Sequence, residues 1–303
     1  MKLKTKDLLT GDEISSKEFL KLIDFSIKLK KQNKTGKEKP LLKNKTLAMI
    51  FEKPSTRTRV SFEVGMSQLG GHAVNLSSNQ MQHSRGESAE DTAKTLSCYV
   101  DAIVARVYEH DFIEELAKHS TIPVINGLSN SYHPCQTLAD LMTIKEHKKK
   151  FKDLKIAWIG DGNNVCNSLI FGCSKTQIQI SIATPKGFEP NSDVVKKASK
   201  YTSVDLTTDP EFAVRDADVV MTDTFVSIHD SDAKSKKFLP TFQVNESLMN
   251  KAKDNAIFMH CLPAKRDQEV TSAVIDGLQS VVWDEAENRL HTQKALLLSL
   301  LSI

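Results

Sequence analysis

The chain has 303 residues, 40% of them hydrophobic and 26% charged, with a net charge of only +3. That size and apolar content suit two moderate cores, so two domains are expected, and the balanced charge excludes the strong overall field that draws nucleic acid or an anionic membrane. Five cysteines without a C-x-x-C pair exclude a disulfide framework and a structural zinc site, and no run of about 18 apolar residues could span a bilayer. With no apolar stretch in MKLKTKDLLTGDE to mark an export signal, a reduced cytoplasmic protein is expected.

In chain order, short β-rich runs alternate with helix-length segments. The lysine-rich stretch KLKKQNKTGKEK lacks interleaved aromatics and reads as a solvated helix end and loop. TLAMIF is a strand followed by a helix, AIVARV precedes helical EHDFIEELAKH, and IPVING precedes a helix through LADLMTIKEH. After the lysine cluster KEHKKKFKD the rhythm restarts, with LKIAWIG, ISIAT, DVVMTD, AIFMH and SVVWD as strands. This predicts an α/β fold of two domains, 1–147 and 148–288, each a mainly parallel sheet flanked by helices. The second is Rossmann-like.

The segment KPSTRTRVSF, residues 53 to 62, carries the densest polar chemistry. Phe62, Met66 and Leu69 recur at helical spacing, and Ser55 and Thr56 are good cap residues, so a helix begins inside the motif. Its free N–H groups and positive dipole end favour an anion, and Arg57 and Arg59 offer charged forks for phosphate oxygens. A plain capped helix with surface arginines would also fit S-T-R alone. The absence of G-x-x-x-x-G-K-[ST] excludes a nucleotide P-loop.

Ser55-Thr56-Arg57-Thr58-Arg59, then His133-Pro134-Cys135-Gln136, then His260-Cys261-Leu262-Pro263, resemble the aspartate/ornithine carbamoyltransferase family in order and spacing, and within it the ornithine-specific enzymes. The resemblance covers nearly the whole chain. It implies attack of the side-chain amine of L-ornithine on carbamoyl phosphate, giving L-citrulline and phosphate, with no cofactor and no metal, as a step of arginine biosynthesis or, since both directions use one site, of arginine breakdown. It also implies a homotrimer, or a multiple of trimers, in which Gln82 of MQHSRGES reaches in from a neighbouring subunit; His83 and Ser84 depart from the family's usual flanking residues.

On the same basis the phosphate falls to Ser55, Thr56, Arg57 and Thr58, and the carbonyl to Thr58, Arg106 and His133, with Gln136 accepting from the carbamoyl NH2. Pro134 and Cys135 complete that motif. Pro134 suits the first position of a helix, which leaves His133 on a loop at its mouth. Arg289 matches the last carbamoyl phosphate contact, and the helix expected after it (289–303) returns to complete the first domain.

In the second half, LKIAWIGDGNNVCNSLIFG is a strand, a glycine-rich turn and a helix starting near Asn164, with Val165, Leu169 and Cys173 on one face. It reads G-x-G-x-x-V, and the next strand ends without an acidic residue for ribose, which disfavours a dinucleotide. The resemblance gives the ornithine α-carboxylate to Asn164 and the α-ammonium to Asp223. In the family's D-x-W-x-S-M-G motif this chain keeps Asp223 and Ser227 but has Phe225, Ile228 and His229, so Ile228 is expected to bind through its backbone. Cys261 shows no adjacent base and is expected to orient the amine, helped by the Leu262 carbonyl, rather than to form a covalent bond. A carbamoyltransferase for putrescine or aspartate, and a non-catalytic phosphate-binding regulator, are the competing readings.

Overall fold

The computed structural model describes residues 1–52, 55–77, 86–226 and 232–302. They form two compact units, one of residues 1–142 and 287–303, the other of residues 143–286. Among the described residues no helix is long and apolar enough to cross a membrane.

The first unit is built on a parallel sheet of β1 (Thr46–Phe51), β2 (His72–Ser77), β3 (Ala102–Arg106) and β4 (Val124–Leu128), in the order β2-β1-β3-β4. β1 and β3 are buried along almost their whole length, because helices cover both faces of a parallel sheet. Ala48, Ile50, Ile103 and Ala105 pack with Ile113 and Leu116 of helix His110–His119. Each such aliphatic side chain stabilises the unit by about 1.5–3 kcal/mol when fully buried.

The second unit holds β5 (Lys155–Ile159), β6 (Gln179–Ala183), β7 (Val204–Thr207), β8 (Val219–Thr222) and β9 (Ile257–His260), all parallel, in the order β7-β6-β5-β8-β9. The helix after β5, Asn164–Thr176, is buried almost all round, which suits its run of small and apolar residues.

Three details differ from the sequence-based expectation. β2 and β7 are additional strands; both lie at sheet edges and are largely half-exposed, so neither shows the apolar run by which a central strand is recognised. SVVWD is not a strand: only Ser280 bridges to Phe258, and Val282 already opens the helix Val282–Leu300. The lysine-rich stretch is not wholly solvated, since Lys30 is buried with its ammonium on Asn288 Oδ1 at 2.7 Å and Glu287 Oε2 at 3.1 Å.

Candidate active site

In each sheet the strand order reverses once, and open parallel sheets bind ligands beyond the carboxyl ends of the strands at that reversal. In the first unit it falls between β1 and β3, where Phe51 pairs with Arg106. In the second it falls between β5 and β8, where Ile159 pairs with Thr222. The chain runs from the first point into Ser55–Thr58 and from the second into Asn163 and Asp223.

At the first point the helix Thr56–Gln68 starts with Ser55 at its N-cap, although the Ser55 side chain makes no cap hydrogen bond. Thr58 is buried one turn in. Its hydroxyl oxygen accepts from Arg289 Nη2 at 3.2 Å and lies 3.4 Å from Arg106 Nη1. Arg289 Nη1 donates to Gln136 Oε1 at 2.5 Å and faces His133 Nε2 at 3.4 Å, and Gln136 Nε2 donates to Asp140 Oδ1 at 2.7 Å. Pro134 opens the helix Pro134–Lys148, as expected, placing His133 just before its first turn. Burial, and then the charges of Arg289, Arg106 and Arg57, hold the His133 pKa well below the usual histidine range, so its ring is uncharged at neutral pH.

Two residues of this region point elsewhere. Arg59, offered above as a second phosphate fork, is on the exposed side of its helix with its Nε 3.6 Å from Glu63 Oε2; four positions apart, the two share one helix face. Cys135 turns its thiol into the core toward the Asn126 carbonyl at 3.4 Å, and burial pushes its pKa up to about 12. Only the backbone of Cys135 is therefore available to a ligand. Arg289 also sits inside the helix Val282–Leu300 and not ahead of one, because that helix begins earlier than its sequence suggested. Gln82, Ser227 and Ile228 lie outside the described residues.

At the second point a tight turn joins β5 to its helix. Gly160 has φ +129°, and a Cβ on Gly162 would sit 2.2 Å from the Pro190 nitrogen, so both positions require glycine. Asn163 caps the helix, its Oδ1 accepting from the Val165 and Cys166 amides at 3.0 and 3.1 Å. Its Nδ2 donates to Asp223 Oδ2 at 2.8 Å. Asp223 Oδ1 accepts from the Thr224 amide at 2.8 Å and from the Cys261 thiol at 3.1 Å. Asn164 follows as the first helical residue. Phe225 is buried and stacks on Phe238, 4.6 Å between ring centroids, so this phenylalanine belongs to the core.

Asn163 was not singled out in the sequence, although an Asn at the mouth of a helix is a strong cap signal. Asp223, His260 and Cys261 bring ligand-type atoms within 4.8 Å of one another. Both ring nitrogens of His260 are engaged, with the Leu262 amide at 2.8 Å and Glu269 Oε1 at 3.2 Å. Coordination of a metal would cost one of those bonds.

Comparison with known proteins also divides the chain in two. Residues 6–146 match the model of the aspartate/ornithine carbamoyltransferase carbamoyl-P binding domain, and residues 152–300 that of the Asp/Orn binding domain. The chain is 60% identical over 301 residues to an ornithine carbamoyltransferase of Cenarchaeum symbiosum, covering 99% of each, and 52% identical over 305 residues to one of Bacillus thuringiensis, covering 99% of this chain and 95% of that one. The solved ornithine carbamoyltransferase of Pyrococcus furiosus superposes with a TM-score of 0.94 at 50% identity, over 98% of this chain and 97% of that one.

Proposed function

The chain belongs to the aspartate/ornithine carbamoyltransferase family, and from that premise we propose that it carbamoylates the side-chain amine of L-ornithine, as in arginine biosynthesis. The observation that carries the reading is the convergence of Thr58, Arg106, His133, Gln136 and Arg289 at the strand-order reversal of the first sheet. Several donors on one small volume suit a dianion joined to a carbonyl.

Residues 1–147, completed by 289–303, act as the carbamoyl phosphate domain and residues 148–288 as the ornithine domain. The phosphate is held by Ser55, Thr56, Arg57 and Thr58 at a helix N-terminus, where N–H groups and dipole both favour it. Thr58, Arg106 and His133 donate to the carbonyl oxygen as it gains negative charge. His133 can do so once the substrate draws Arg289 away and the ring proton is carried on Nε2. Gln136 accepts from the carbamoyl NH2, and Pro134, the Cys135 backbone and Arg289 close that side. Asn164 takes the α-carboxylate; Asp223, with Ser227 and the Ile228 backbone, takes the α-ammonium. Cys261 and the Leu262 carbonyl orient the amine.

The new bond joins the amine nitrogen to the carbonyl carbon, and the bond to the phosphate oxygen breaks with its electron pair leaving on phosphate. The nitrogen's proton goes to that phosphate. Positioning and fixed donors supply the acceleration, without a protein base. The enzyme works in the cytoplasm as a homotrimer, or a multiple of one, in which Gln82 is contributed by the neighbouring subunit. A citrulline assay with carbamoyl phosphate and a panel of amines tests the reading. Turnover with ornithine supports it; preference for putrescine or aspartate, or phosphate binding with no product, overturns it.

A further inference from the structure

Behind Cys261 lies a buried pair with no place in the scheme above. His260 ends β9, Glu269 lies nine residues on, and both side chains are fully enclosed. The Leu262 amide donates to His260 Nδ1 at 2.8 Å. A backbone N–H can only donate, so Nδ1 is the acceptor and the ring proton is on Nε2, where it faces Glu269 Oε1 at 3.2 Å. That oxygen also accepts from the Lys265 amide at 2.6 Å, while the His260 amide is held by Glu285 Oε2 at 3.0 Å. The ring is therefore fixed from both sides. Leu262 has φ +58°, a left-handed conformation that branched residues adopt only when their surroundings impose it.

We propose that His260 and Glu269 are positioning residues: Glu269 fixes the His260 tautomer, and His260 Nδ1 holds the Leu262 amide, so that the Cys261 thiol meets Asp223 and the Leu262 carbonyl faces the amine. The proposal deepens the reading above and rests on it for the identity of the amine. It places an acceptor nitrogen at a defined spot, and that can be separated from bulk. Asparagine can offer an oxygen near the position of Nδ1 and glutamine a nitrogen near that of Nε2, so His260→Asn keeps the acceptor for Leu262 and His260→Gln loses it.

The test measures kcat and KM for ornithine, inorganic phosphate affinity by calorimetry, and the iodoacetamide alkylation rate of Cys261 with exposed Cys98 as internal reference. His260→Gln is expected to raise the ornithine KM, and to change the Cys261 alkylation rate, by about tenfold or more, with phosphate affinity unchanged. His260→Asn should remain nearer wild type in both. Equal behaviour of the two variants, or wild-type KM and alkylation in His260→Gln, overturns the proposal. Should neither His260 variant fold, Glu269→Leu, which removes the acceptor of the Nε2 proton, must reproduce the KM and alkylation changes; wild-type values there also overturn it. A wild-type enzyme that makes no citrulline refutes the assigned reaction, and the alkylation arm still decides the positioning role.

Discussion

Arg289 Nη1 and Gln136 Oε1 are 2.5 Å apart although 153 positions separate them in the chain. Gln136 is in turn held by buried Asp140, and the same guanidinium reaches Thr58 and His133 before substrate arrives. Replacing Arg289 by lysine keeps the charge but loses the fork that reaches all three. The loss of kcat/KM for carbamoyl phosphate is expected to be about 10- to 150-fold, the worth of one charged hydrogen bond of about 1.5–3 kcal/mol. Steady-state kinetics on Arg289→Lys measures it, and an unchanged value would remove Arg289 from the site.

Arg106→Ala should lower kcat by about 100- to 1000-fold, the usual cost of one donor to a developing oxyanion. Arg106 leaves β3 beside Thr58, and its shortening opens no core cavity, since the side chain is only part-buried. Near-normal turnover would exclude it from the carbonyl.

Arg57 and Arg59 are two residues apart and are expected to behave differently. Arg57 is part-buried and close enough to His133 to lower its pKa, whereas Arg59 is exposed beside Glu63. Arg57→Ala should weaken carbamoyl phosphate binding by about tenfold or more, while Arg59→Ala, losing an exposed pair worth about 0.3–0.5 kcal/mol, should leave it nearly unchanged. Isothermal titration of both variants decides.

Acid should unfold the protein partly through two buried histidines. His133 is held well below the ordinary value by burial and then Arg289, and His291 is lowered to about 4 by burial and then Lys294. Both take up protons more readily when unfolded, so their contribution is present above about pH 6.5 and is lost as pH falls toward 4. Urea midpoints across that window should decline with acid. The decline should be shallower in His291→Leu, whose ring cannot charge; an identical slope would refute the assignment.

Gly162→Ala tests the turn that carries Asn163. The added Cβ would lie 2.2 Å from the Pro190 nitrogen and 2.5 Å from the Glu189 carbonyl carbon, both backbone atoms that cannot yield cheaply. A destabilisation of at least about 1–3 kcal/mol is expected, with ornithine binding weakened beyond what the lost stability explains. Thermal unfolding and ornithine titration report the two effects separately.

Much of this was legible locally. Strand, turn and helix signals sit side by side in TLAMIF–KPSTRTR and LKIAWIGDGNN, so the start of each helix could be read from neighbouring residues. What a side chain faces was less legible. The outward turn of Arg59, the inward turn of the Cys135 thiol and the burial of Phe225 depend on helix phase and on packing partners that sequence spacing does not show. The Arg289–Gln136 and Lys30–Asn288 pairs join distant stretches, and no local pattern announces them. The edge strands β2 and β7 escaped notice because one side of each is not covered by a neighbouring strand.

The first unit is discontinuous in the chain: it pauses at Met142 and resumes at Glu287. On the ribosome, Thr58, His133 and Gln136 emerge long before the guanidinium that ties them together. The first unit thus cannot reach its final arrangement until the whole second unit has been translated, and a nascent chain released before Arg289 would carry the Ser55–Thr58 motif without the guanidinium that joins it to Gln136.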